Sequence, residues 1–271
     1  MKINIGKLVK DLKAKLNENI EIEDITIHMP GMSNSLIFQI KNDYLYKIYN
    51  SGNDYRHTKS FFEYYAESKY FQNIIFKKDK NQSLCLTYLK GEVIYGKEGD
   101  YSFIIKKLYN IVKDYKEYTN SDVEKYNYGT NNWKDFLENN INYNYLNIID
   151  KEIIKENLEI IGKYNIKNYM IHGDFGTHNF IIDGDYVKVI DPCTFIGDKL
   201  YDFYCGIFSD PIIFENSNIN DILNYFKEYE MEYKKALLKI CFVYRMLIAV
   251  KYNYYKNVNA YYDWYNIIVK K

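Results

Sequence analysis

One stretch of this 271-residue chain gathers side chains able to do chemistry: Met170-Ile-His172-Gly-Asp174-Phe-Gly-Thr-His-Asn179-Phe-Ile-Ile-Asp183-Gly-Asp-Tyr-Val-Lys-Val-Ile-Asp191. The apolar runs 180–182 and 186–190 bracket an Asp183-Gly184 turn, a strong hairpin signal. Folding that hairpin sets Val189 or Ile190 opposite Asn179, depending on loop length. Asp191 then lies within about two residues of Asn179, at the same open end. An amide oxygen and a carboxylate meeting there suit a hard cation such as Mg²⁺, which takes oxygen ligands. Asp174 sits in a loop leaving the apolar run 169–171. A carboxylate in that place can accept the proton of an attacking hydroxyl. Phosphoryl transfer needs those parts, a base, in-line metal ligands and a held nucleotide, with little covalent chemistry.

The elements that must position these groups are readable from periodicity. Residues 7–18 form an amphipathic helix, and 23–29 and 36–40 read as strands joined by a turn-rich 30–35 linker. A third strand over 44–49 carries Lys47. The spacing predicts a helix over 58–71 with Thr58 as N-cap, then strands over 74–76 and 84–88. After Lys90-Gly91-Glu92 helical periodicity takes over, at 104–115, 153–161 and from 221 onward, with a loop at 119–132. We expect lobes over 1–89 and 90–271, the first built on a sheet, the second helical.

Composition excludes other partners. Lys plus Arg and Asp plus Glu both total 36, so no basic field exists to hold nucleic acid or an anionic membrane. Cys85, Cys193, Cys205 and Cys241 form no C-x-x-C pair, which favours reduced thiols in a cytoplasmic protein. The greasiest run, 236–250, is interrupted by Lys239 and Arg245 and reads as a buried helix, not a membrane span. The 32 tyrosines go with abundant Asn, Lys and Ile, and so carry no ligand information. The Lys227, Lys234, Lys235, Lys239 and Arg245 charges are expected on a solvated helix face.

His172-Gly173-Asp174, Asn179 and Ile190-Asp191 together resemble the catalytic and metal-binding loops of the aminoglycoside phosphotransferase and choline kinase-like small-molecule kinases. Gly197-Asp198-Lys-Leu-Tyr-Asp202 resembles that family's G-D-x-x-x-D element. In the first lobe, Gly31-Met32-Ser33-Asn34-Ser35 looks like its phosphate-covering loop. Lys47 matches its phosphate-binding lysine, and Glu63 stands where the lysine's partner belongs. Residues 86–92 resemble the hinge, and 133–137 the helical insert.

The resemblance implies an α+β, bilobal protein-kinase-like fold, with an N-terminal antiparallel β-sheet lobe bearing one main helix and a larger, mostly helical C-terminal lobe. It implies a kinase that moves the γ-phosphate of ATP or GTP to a hydroxyl of an aminoglycoside, a choline-like amino alcohol or a sugar. Asp174 would be the catalytic base and Asn179 and Asp191 the Mg²⁺ ligands. Lys47, oriented by Glu63, would neutralise phosphates, with the loop at Gly31, Ser33, Asn34 and Ser35 covering them. Backbone at Tyr88 and Leu89 would hold adenine, while His172 and Asp202 would brace the catalytic loop. The acceptor site is expected within 100–140 and 200–271, and the protein is expected to be a monomer. Two departures stand out: Pro192-Cys193 follows Asp191, and the phosphate loop has a single glycine. Two other functions compete. One is a nucleotide-binding regulatory module without turnover. The other is a metal-dependent hydrolase using His172, Asp174 and His178, whose donor types also suit zinc or iron.

Overall fold

The computed structural model describes residues 5–28, 34–141, 151–252 and 255–269. The chain divides into two compact units. One comprises Met1–Glu92 with Lys188–Ile190, and the other comprises Val93–Val187 with Asp191–Lys271.

The first unit opens with helix α1 (Ile5–Leu16), followed by strands β1 (Ile25–His28), β2 (Leu36–Ile40) and β3 (Tyr44–Ile48). Helix α2 (Gly52–Tyr64) precedes β4 (Ile74–Lys78) and β5 (Ser83–Thr87). The five strands form one antiparallel sheet in the order β1-β2-β3-β5-β4. Strand alternation places Phe38, Ile40, Tyr46 and Cys85 in one buried cluster with Leu8 and Leu12 of α1. Lys47, of opposite parity, lies between Ile37 on β2 and Leu84 on β5.

Helix α2 starts earlier than the periodicity predicts. Ser51 is its N-cap, with the side chain accepting from the Asp54 amide, and Asp54 lies in the first turn. Thr58, expected as the cap, is buried in the helix interior. The Ser51-Gly-Asn-Asp54 run reads as a turn by composition, which hides a cap followed by an acidic first turn.

The second unit contains α3 (Ile104–Lys113), α4 (Trp133–Asn140) and α5 (Lys151–Gly162). Beyond it come α6 (Lys199–Ile207), α7 (Pro211–Phe214), α8 (Ile219–Leu223), α9 (Met231–Lys251) and α10 (Tyr255–Ile268). Helix α9 packs against α5, α6, α8 and α10 and is buried along most of its length. No helix among the described residues is long and apolar enough to cross a membrane.

Two small sheets carry the candidate site. Strand β6 (Glu92–Val93) borders β8 (Phe180–Asp183), which neighbours β9 (Tyr186–Val189). Strand β7 (Tyr169–Ile171) pairs antiparallel with β10 (Phe195–Gly197), matching Ile171 to Phe195. Asn127, in the 119–132 connection, fastens this pair. Its Nδ2 donates to Ile196 O at 2.6 Å, and its Oδ1 accepts from Ile196 N at 2.9 Å.

The packing of α4 on β10 explains Gly197. A Cβ at this position would lie 2.1 Å from Cζ3 of Trp133, whose ring stacks on Phe136 at 5.2 Å. Gly197→Ala therefore overpacks a rigid aromatic contact. A loss of about 1–3 kcal/mol is expected in urea unfolding, with part of it recovered in the Gly197→Ala/Trp133→Leu double variant.

Candidate active site

Between β7 and β8 the chain makes a tight loop, His172–Asn179, almost every part of which is tied down. Asp202, on the first turn of α6, is fully buried. Its Oδ2 accepts from the His172 amide at 2.6 Å and from the Tyr115 hydroxyl at 2.7 Å, and its Oδ1 accepts from the Gly173 amide at 3.0 Å. The His172 carbonyl accepts from the amides of Cys193 and Thr194, both at 2.9 Å. Further along, the Thr177 amide donates to Ser209 Oγ at 3.1 Å, and the Asn179 amide to the Gly176 carbonyl at 2.8 Å. Gly173 has φ +79, and a Cβ there would meet the Phe195 ring at 2.4 Å. Both conditions call for glycine.

These ties fix Asp174, which is half-buried. Its Oδ2 accepts from His178 Nε2 at 2.9 Å and from Asn179 Nδ2 at 3.2 Å. Among the described residues no donor reaches its Oδ1. Burial pulls this carboxyl up, but the His178 hydrogen bond and the charges of His178 and Arg245 more than offset it. The net effect holds Asp174 well below the usual carboxylate range.

Asn179 is buried, and its Nδ2 also donates to the Asp174 carbonyl at 2.9 Å. A carbonyl only accepts, so the amide nitrogen must face it and Oδ1 points away, as an oxygen donor for a cation. Asp191 is exposed and adopts φ +59, a left-handed conformation unusual for aspartate. Asn179 immediately precedes β8, and Asp191 lies two residues past β9. The hairpin turn is Gly184-Asp185, one residue later than the sequence suggests, with Gly184 at φ +56. One neutral amide oxygen and one carboxylate at the open end of this hairpin fit a hard divalent cation such as Mg²⁺. No group of three or more His, Cys, Asp or Glu side chains able to hold a metal occurs among the described residues.

The G-D-x-x-x-D element spans the start of α6. Asp198 caps the helix through the Leu200 amide at 2.8 Å and accepts from the hydroxyls of Tyr229 at 3.1 Å and Tyr233 at 2.5 Å. Asp202 is one turn later. Burial pushes both carboxyls up to about 6, against their hydrogen-bond donors.

In the first unit Lys47 is 4% exposed, and its Nζ lies 4.9 Å from the centre of the Tyr49 ring. Glu63 is not its partner. It is exposed and forms an ion pair with Lys77 of β4. The buried stripe of α2 is Tyr55, Thr58, Phe61 and Phe62, which leaves Glu63 on the rim. The Tyr88 amide donates to the Asp43 carbonyl at 2.8 Å. Asn34 has φ +51 and is exposed, Ser35 is buried, and Gly31 and Ser33 lie outside the described residues.

No protein-family profile and no curated protein matches the chain. Solved structures do. A streptomycin–ATP ternary complex of APH(2")-IIa matches with TM-score 0.58 at 15% identity, covering 97% of both chains. Choline kinase from Cryptosporidium parvum Iowa II matches with TM-score 0.57 at 15% identity, over 98% of this chain and 96% of that one. A thermostable mutant of aminoglycoside phosphotransferase APH(4)-Ia with ADP and hygromycin B matches with TM-score 0.55 at 13% identity, over 97% and 98%.

The chain has the fold of these small-molecule kinases.

Within that kinase fold, sequence reasoning gave two residues of the loop's surroundings other roles, His178 a metal ligand's and Arg245 a solvated charge's. His178 binds the Asp174 carboxylate directly. Arg245, expected on a solvated face, is buried and donates through Nη2 to the Phe175 carbonyl at 2.8 Å. Lys234 is buried as well, on the carbonyls of Leu223 and Tyr225. A lone arginine within the apolar run 241–250 was the available signal, since a charge amid such residues is buried only when well bonded.

Asp202 gives a pH test. Its carboxyl binds a proton more tightly folded than at its ordinary value of 3.8. The folded chain therefore holds extra protons between pH ~4 and ~6, and this contribution to stability falls as pH rises through that window. Asp202→Asn removes that slope and leaves one loop amide poorly satisfied, at about 1–3 kcal/mol. In urea unfolding, the wild type's advantage over Asp202→Asn is expected to shrink from pH 4 to pH 7 by up to about 3 kcal/mol. A constant difference would contradict the protonation of Asp202.

Proposed function

We propose that this protein is an ATP- or GTP-dependent phosphotransferase whose acceptor is a hydroxyl on a small molecule. The observation that carries the reading is the asymmetric Asp174 carboxylate. One oxygen is held by His178 and Asn179, and the other is left for an incoming hydroxyl. The fold it shares with kinases of aminoglycosides and choline supports the same reading.

On this reading the acceptor hydroxyl hydrogen-bonds to Asp174 Oδ1. As its oxygen bonds to the γ-phosphorus, the bond from phosphorus to the leaving nucleoside diphosphate breaks and the proton passes to Asp174. A carboxylate held so acidic is a weak base, so its main work is orientation, with proton transfer late in a loose transition state. Asn179 and Asp191 would hold Mg²⁺, which neutralises phosphate charge when bound. Lys47 serves the phosphates as a fixed ammonium, and the Tyr88–Leu89 edge serves the base. The acceptor class rests on the structures of like fold: two are complexes with streptomycin and hygromycin B, and a third is a choline kinase.

One observation favours a second reading, a nucleotide-binding module without turnover. Glu63 is engaged with Lys77, so it does not stand as the partner that the kinase pattern assigns to Lys47.

A screen of amino alcohols, sugars and aminoglycosides with γ-labelled ATP and Mg²⁺ separates the two. Transfer is expected to at least one alcohol, with Asp174→Asn slowed by about 10²–10⁴-fold while its calorimetric affinity for Mg-ATP stays within a few-fold. Asp191→Ala should instead weaken Mg-ATP binding, and unchanged affinity would remove Asp191 from the metal site. Binding of Mg-ATP by the wild type with no transfer, and hydrolysis no faster than in Asp174→Asn, would favour the module.

A further inference from the structure

The loop bearing Asp174 is gripped from two directions, and the reading above uses only one. Upstream, Asp202 of α6 takes the amides of His172 and Gly173. Downstream, Arg245 enters from α9 and is 6% exposed. Its Nη2 donates to the carbonyl of Phe175, the residue after Asp174, at 2.8 Å, and its Nε donates to the Cys205 carbonyl at 3.0 Å. Cys205 lies in the last turn of α6, where carbonyls lack intrahelical partners and a cation is favoured by the helix dipole.

Among the described residues no carboxylate lies within ion-pair distance of this guanidinium. Burying a charge without such a partner is costly. Leucine or methionine would fill the space as well as the neighbouring Phe242 and Met246 do, if packing were the whole requirement. The planar fork does what they cannot, bridging two backbone carbonyls of different elements. Gly176 makes room for it and for His178, since a Cβ there would lie 3.1 Å from Nη2 and 3.0 Å from His178 Cε1.

We propose that Arg245 is a positioning residue for phosphotransfer. By fixing the Phe175 carbonyl it sets the direction in which Asp174 presents its carboxylate, and through Cys205 it ties that direction to the helix carrying Asp202. The inference rests on Asp174 being the group that orients the acceptor. It adds a contact that neither nucleotide nor acceptor makes.

The test compares full-length wild type, Arg245→Met, Arg245→Lys and Gly176→Ala. Mg-ATP affinity is measured by calorimetry and nucleotide turnover is expressed per binding-competent molecule. Amide exchange over 175–179 is followed by mass spectrometry. Arg245→Met is expected to keep Mg-ATP affinity within about threefold while turnover falls by about tenfold to a hundredfold, the scale of a misplaced catalytic group. Arg245→Lys, with its charge but no fork, should recover part of that loss, and loop exchange should quicken in both. Should Arg245→Met fail to fold, Arg245→Lys carries the test, and Gly176→Ala, which presses on both this guanidinium and His178, is expected to lower turnover with affinity intact and loop exchange quickened. Wild-type turnover per competent molecule in Gly176→Ala or a folded Arg245 variant, with unchanged loop exchange, would overturn the proposal. A wild type that binds Mg-ATP without turnover would defeat the phosphotransfer reading instead. Loop exchange in the variants would still decide whether Arg245 sets the loop.

Discussion

A carboxylate removed from water needs donors, and Asp202 finds three, two of them amides of the loop that carries Asp174. Much of the second unit can be understood as the setting for that contact. Leaving the charge unpaired would cost several kcal/mol, whereas satisfying it with adjacent amides makes the loop's backbone path the only low-energy one. Glycine at 173 follows from the same constraint. The chain must turn left-handed there while passing under the Phe195 ring, and any side chain would break one condition or the other.

Helix α6 does its work at both ends. Its N-terminus is capped by Asp198, itself enclosed by Tyr229 and Tyr233. Its last turn is closed by Arg245. A helix fixed at both ends can act as a rigid bar, and the His172–Asn179 loop hangs from it by the Asp202 carboxylate, with a further tie to the Ser209 hydroxyl in the turn just past its end. The long α9 backs this bar along its buried face, which is why a helix with little amphipathic contrast is tolerated inside the unit.

The parts of this arrangement visible in the sequence are the local ones. Asn179 and Asp191 share a hairpin end because two apolar runs flank a two-residue turn, and misplacing the turn by one residue did not separate them. The five-stranded sheet was likewise readable from period-2 runs, and the buried 236–250 helix from its length and charge. What failed was of two kinds. Composition disguised the start of α2, since Ser51-Gly-Asn-Asp54 satisfies turn and cap rules alike. Helix phase, which a sixteen-residue spacing from Lys47 does not fix, put Glu63 on the rim with Lys77. Arg245 was lost for another reason. Its partner is 70 residues away, so the apolar run around it could signal a buried, bonded charge but not what the fork holds.

The distribution of thiols opens a practical route into this chain. Cys85, Cys205 and Cys241 are buried and shielded from reagents, and desolvation pushes Cys85 up to about 12 and raises Cys241 as well, which keeps those two protonated. Cys193 is exposed, two residues past Asp191 and with its amide on the His172 carbonyl. A maleimide fluorophore would therefore label the native sequence at one place, giving an optical reporter of the Asp191 segment without any engineered cysteine.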